Sequence, residues 1–117
     1  MFDVKTFVLN FSQNNPKDII TGLYYSKDKD ACAVSIQPKT WDGSMRHTGF
    51  GLPRTYRPDG KWFFDKNIDG LEIMDKGEEV DFLPYVSEED RAKVEKYRKE
   101  FDERGGSWEG VWPELND

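Results

Sequence analysis

One cysteine and one histidine occur among the 117 residues, and each scarcity removes a class of chemistry. Cys32 alone cannot close an internal disulfide or supply the paired thiolates of a cysteine-type zinc site. A reducing compartment, the cytosol, is the expectation that follows. His47 is the single candidate for a catalytic imidazole. Alanine occurs three times, which argues against an all-helical bundle, because Ala is the best helix former. Leu, Ile, Val and Phe make up only about 22% of the chain, close to the level below which chains stay disordered. No apolar run approaches the length of a membrane span. The opening Met1-Phe2-Asp3-Val4-Lys5 lacks the basic and apolar regions of a secretory signal. Neither a P-loop nor a G-x-G-x-x-G motif occurs, and no cofactor is expected.

Aromatic residues are what the chain does have. Eight Phe, five Tyr and four Trp amount to 15% of residues. Each ring can bury roughly 150–250 Å², so rings supply the core that aliphatic residues cannot. The length suits one domain over residues 1–117. Charge is divided unevenly along it. Residues 1–60 contain no Glu and sum to +2, whereas residues 61–117 sum to −8, giving −6 in all. The plain reading of that asymmetry is a charged helix in the second half with solvated, self-paired faces.

Periodicity predicts the elements. Residues 4–11 place Phe7, Leu9 and Phe11 at period two, as in a half-buried strand. Ile19 to Ser26 and Ala31 to Gln37 are apolar runs around the polar Lys27-Asp28-Lys29-Asp30, which predicts a hairpin. From Pro38 to Gly60 periodicity vanishes, leaving an irregular loop. Pro58-Asp59-Gly60 has turn chemistry and joins a short strand near Tyr56 to Lys61-Trp62-Phe63-Phe64-Asp65. Leu71 to Met74 and Val80 to Leu83 read as two further strands of a meander. Ser87-Glu88-Glu89-Asp90 opens a helix over about 88–104 whose stripe is Val94, Tyr97 and Phe101. A short Trp-containing tail, 105–117, follows Gly105-Gly106. The expected fold is α+β: five to six mostly antiparallel strands with one C-terminal helix packed on them. Phe7, Leu9, Phe11, Leu23, Val34, Ile36, Phe63, Ile73 and Phe82 are its expected core.

Candidate sites follow from chemistry-bearing residues. Asp65-Lys66-Asn67-Ile68-Asp69-Gly70 matches the opening D-x-N-x-D-G of a calcium loop. Position twelve is Lys76 instead of the bidentate Glu, and strand-like residues precede the loop, so a polar reverse turn between strands is expected. Cys32 sits on an apolar strand face, as an inert buried thiol does. Ser44 and Cys32 both lack the glycine pattern of a nucleophile elbow. Within the loop, Arg46, Arg54 and Arg57 interleave with Trp41, Phe50 and Tyr56, beside His47. Arginines with rings suit recognition of a partner protein, or of single-stranded nucleic acid through phosphate contacts and base stacking. Trp108 and Trp112 in the tail suit either a fold-back onto the core or an anchor in a partner.

The expected function is therefore a non-catalytic, small, acidic cytosolic protein that binds another macromolecule, a protein in the first instance. Accessory subunits, immunity proteins and phage-type enzyme inhibitors are the analogues suggested by size, charge and absent catalytic motifs. A single-stranded nucleic-acid or anion-binding domain using the Arg/aromatic loop is the alternative, and a small hydrolase using His47 the third. Neither a membrane nor a metal partner is expected.

Overall fold

A computed structural model describes residues 2–43, 53–63 and 65–103. Residues 4–14 form a helix, α1 (Val4–Asn14), where the sequence predicted a strand. The Asp3 carboxylate caps it, accepting from the Thr6 amide at 3.1 Å and the Thr6 hydroxyl at 2.9 Å. These bonds hold the Asp3 pKa below its usual value, the Thr6 amide being the larger influence. Phe7, Val8 and Phe11 are buried on one face, while Leu9 is 49% exposed. The period-two set 7, 9, 11 shares two members with the helical set 4, 7, 8, 11, and Val4 and Val8 fit only the latter. Asn15 closes the helix on the Phe11 carbonyl, and Pro16 prevents its extension.

The predicted hairpin is present as β1 (Asp18–Ser26) and β2 (Ala31–Pro38), paired antiparallel from Asp18↔Pro38 to Ser26↔Ala31. Asp30 in the reversal has φ 47°, a left-handed conformation that Asp tolerates better than most residues. A bulge between Ile20 and Gly22 shifts the register. The hairpin is the centre of a four-stranded sheet in the order β3-β2-β1-β4, with β3 at Arg54–Tyr56 and β4 at Glu78–Glu79. Five to six strands were expected. Besides residues 4–11, two further segments read as strands are not strands, each for a local cause.

Leu71 to Met74 lies inside a second helix, α2 (Gly70–Lys76), capped by Asp69, whose carboxylate accepts from the Leu71 amide at 2.9 Å. Four alternating residues suit either period, and the Asp cap with Glu72 in the first turn decides for helix. Its Ile73 packs on Ala31 and Ala33, where the absence of larger side chains lets the helix approach the sheet. Val80 to Leu83 is not a strand either. Pairing ends with Val80 donating to the Leu23 carbonyl at 2.9 Å, and Pro84 then enters a 3₁₀ turn at Leu83–Tyr85. Of the expected core, Phe7, Phe11, Leu23, Val34, Ile73 and Phe82 are fully buried and Ile36 and Phe63 half-buried; Leu9 is the error.

The C-terminal helix is α3 (Glu88–Glu103), and Ser87 caps it as predicted by accepting from the Asp90 amide at 3.2 Å. It clasps the segment that follows β2. Lys39 bonds Asp90 at 2.7 Å, Lys93 donates to the Lys39 carbonyl at 2.7 Å, and Lys96 donates to the Asp42 carbonyl at 3.2 Å. The Trp41 and Tyr97 rings meet edge-on at 5.8 Å. Gly43 (φ 87°) lets the chain pass the helix backbone, since a Cβ there would lie 2.9 Å from the Lys93 carbonyl oxygen. The fold is thus α+β, with three α-helices and an antiparallel sheet among the described residues.

The α1 assignment has a direct test in urea unfolding. Phe11→Ala should cost about 3–5 kcal/mol, as buried aromatic truncations do. Leu9→Ala should stay within about 0.5 kcal/mol, because an exposed helical position tolerates Ala. Equal losses at both positions would mean that residues 7, 9 and 11 share a buried strand face after all.

Candidate functional site

The candidate site grows from one buried tyrosine. Tyr56, at the end of β3, is 1% exposed and meets Phe7 and Phe11 of α1 edge-on at 6.1 and 5.3 Å. Burial raises its phenol pKa above the ordinary 10.0, and the neighbouring Arg54 offsets part of that rise. The chain then turns through Pro58-Asp59-Gly60 and returns, so that Trp62 pairs with Tyr56 in an antiparallel bridge. Arg57 donates its amide to the Lys61 carbonyl at 2.9 Å, and the Thr55 hydroxyl donates to the Phe63 carbonyl at 3.1 Å.

Gly60 seats this turn on α1. Its φ is 86°, and a Cβ would lie 2.7 Å from the Phe7 carbonyl oxygen and 3.0 Å from the Asn10 Cβ. The Asn10 side-chain amide donates to the Asp59 carbonyl at 2.6 Å and ties the two together. Four side chains face outward from this support. Arg54, Arg57 and Lys61 are exposed, and Trp62 is 58% exposed, more than any other large hydrophobic residue described. The Arg57 guanidinium lies 5.0 Å from the centroid of the Phe63 ring, and Arg54 faces Asp18 at 3.9 Å.

The structure therefore divides the residues that sequence reasoning grouped. Arg54 and Arg57 are both exposed on the hairpin, Arg54 toward Asp18 and Arg57 over the Phe63 ring. Trp41 and Tyr56 are each 1% exposed and fill the core, Tyr56 beneath the hairpin and Trp41 against Tyr97 of α3. Arg46, His47 and Phe50 of the loop, Ser44 beside them, and Trp108 and Trp112 of the tail lie outside the described residues. The sequence marks Lys61 and Trp62 only as strand, and Phe63 as strand and core. Their signal was present in the turn, because Pro58-Asp59-Gly60 places a Lys-Trp pair opposite Tyr56 at the outer edge of a sheet.

Other candidates are engaged elsewhere. The Asp65 and Asp69 carboxylates accept from the amides of Asn67 at 2.8 Å and Leu71 at 2.9 Å, so Asp65–Gly70 forms a turn that leads into α2. The expected turn between two strands leads instead into a helix. Among the described residues, no three acidic, histidine or cysteine side chains are grouped to hold a metal ion. Cys32 is fully buried, and that burial, with the Asp30 carboxylate adding, pushes its thiol up to about 12. A shallow groove of about 570 Å³ beside α3 is lined by acids and bases together, among them Glu95, Arg98, Lys99 and Asp102. Comparison with protein-family models, curated proteins and solved structures returns no match, so function is argued from the geometry.

Two outcomes follow. At pH 8 the native Cys32 thiol should stay protonated and unreactive toward Ellman's reagent, then react fully on unfolding. The stability associated with its raised pKa is intact below pH 9.0 and is lost as the pH rises from there toward about 12. Rapid labelling of the folded protein at pH 8 would contradict this burial. Separately, Gly60→Ala should destabilise by at least about 1–2 kcal/mol in urea melts, since the left-handed backbone and the Phe7 carbonyl both oppose a Cβ. A neutral effect would detach the turn from α1.

Proposed function

We propose that this chain is a non-catalytic binding protein that engages another protein through the hairpin centred on Trp62. One observation carries the reading: a tryptophan left 58% exposed on a hairpin that also exposes two arginines and a lysine, and whose turn is fixed to a helix. Trp and Arg are the residue types that most often dominate binding energy at protein interfaces. Covering the exposed part of such a ring removes roughly 100–150 Å² of mostly apolar surface, worth about 3 kcal/mol at about 25 cal/mol per Å². The turn is held by Asn10 and Gly60, so little ordering entropy is lost on docking. An accessory or inhibitory role on a partner enzyme, in a reducing compartment, is consistent with the small size and the single buried cysteine.

Single-stranded nucleic acid is a second reading, favoured by the Arg57–Phe63 stack beside the exposed indole. Charge weighs against it. Arg54, Arg57 and Lys61 could neutralise at most three phosphates, which corresponds to a salt slope of about −2, and the chain as a whole carries −6.

Capture from a lysate of the encoding organism tests the proposal. The wild-type chain should retain a stoichiometric protein partner, and Trp62→Ala, still cooperatively folded, should weaken that complex about 30-fold, equivalent to about 2 kcal/mol. Equal retention by wild type and variant would remove the hairpin from the interface. Hydrolytic turnover lost in His47→Ala, with no partner retained, would replace the binding reading with the enzymatic one.

A further inference from the structure

We infer that the partner presents an acidic, extended segment to this hairpin; the inference rests on the binding reading above and specifies its chemistry. Residues 54–62 sum to +2, whereas the remainder of the chain sums to −8. The hairpin is thus a cationic island on an acidic protein. A basic partner is drawn to the rest of the surface and away from this spot. A long polyanion meets repulsion once it extends beyond the island, at distances within a Debye length of about 8–10 Å. A short run of carboxylates fits both limits.

The arginines are arranged to accept such a run. Arg54 is exposed, and its contact with Asp18, at 3.9 Å, is near the limit of an ion pair. A carboxylate seated on the guanidinium at about 2.7–2.9 Å outcompetes that contact. Arg57 is oriented by the Phe63 ring and Lys61 is exposed on the return strand. The hairpin therefore offers three cations and an exposed indole, with Trp62 on the Tyr56 face and Arg57 on the Phe63 face, combining charge recognition with an apolar anchor.

Backbone pairing gives the extended conformation. Arg57 donates to the Lys61 carbonyl, and Trp62 is bridged to Tyr56. In an antiparallel pair, inward and outward backbone groups alternate from residue to residue, so those of Trp62 face the outer side. A segment that adds there as a strand meets main-chain donors and acceptors while its alternate side chains reach the indole and the cations.

The test pans a displayed library of short random peptides against the full chain. Binding of the enriched peptides is then compared for wild type, Trp62→Ala, and a triple variant carrying Arg54→Ala, Arg57→Ala and Lys61→Ala. Melting curves for each variant confirm folding, and a triple Arg54→Lys, Arg57→Lys, Lys61→Arg variant preserves the charge. Expected are peptides of net negative charge, weakened at least about tenfold by Trp62→Ala and by the alanine triple variant but retained by the charge-preserving one. Neutral or basic peptides that still depend on Trp62 would overturn the acidic partner and leave the binding reading standing. Tighter binding of single-stranded DNA than of any enriched peptide would assign the site to nucleic acid. A concentration-dependent dimer in sedimentation velocity, abolished by the alanine triple variant, would assign it to a second copy. Enrichment that does not distinguish wild type from the variants would overturn the inference outright.

Discussion

The packing of the Tyr56 ring against Phe7 and Phe11 joins the helix, the sheet and the candidate surface into one structure. Rings that meet edge-on contribute about 0.5–1.5 kcal/mol beyond the area they bury. The larger consequence is positional. With Tyr56 fixed beneath α1, the following turn has one place to go, and Gly60 and Asn10 hold it there. Trp62 must then emerge beside Tyr56, at a ring separation of 5.9 Å, with its own surface turned to solvent. A chain poor in aliphatic residues uses aromatic rings twice, as core beneath the sheet edge and as contact surface above it.

The sheet receives support on its two faces by different means. Ala31, Ala33 and Ile73 form one small cluster under α2, joined by the half-buried Tyr24, Phe63 and Ile68. The larger cluster runs from α1 through Leu23, Val34 and Tyr56 to Phe82 and Val94. The clasp of α3 on residues 39–43 is mostly polar, resting on lysines that reach backbone carbonyls and on the Lys39–Asp90 pair. Among the described residues, Asp90 Oδ1 and Gln37 Nε2 of that region are buried without hydrogen-bond partners, and each such group costs about 1–3 kcal/mol.

Legibility in the sequence followed the strength of local signals. The β1–β2 hairpin could be read because two β-branched and aromatic runs flank four consecutive polar residues. Helix α3 could be read from its serine cap, three leading acids and spaced apolar stripe. Helices α1 and α2 could not, because Phe7 and Phe11 of α1 also fit period two and α2 is too short to separate the two periods. The signals that decide between the periods, Asp3 and Asp69 as caps, are single residues that equally suit turns. At the site, Arg54 and Arg57 were recognisable from their aromatic neighbours. Which rings would be inside was not, since alternation marks two faces of a strand without saying which is covered. Trp41 and Tyr56 are consequently core, and Trp62, expected only as strand, carries the exposed ring.

The functional account depends on this arrangement of rings, because it places Trp62 beside Tyr56 with its outer surface exposed. Two-dimensional NOE spectroscopy of the full chain measures it directly. The account predicts contacts from the Tyr56 ring to those of Phe7, Phe11 and Trp62, together with helical amide–amide contacts through residues 4–14. Strand-type sequential contacts through residues 4–11, with no contact between Phe11 and Tyr56, would contradict it.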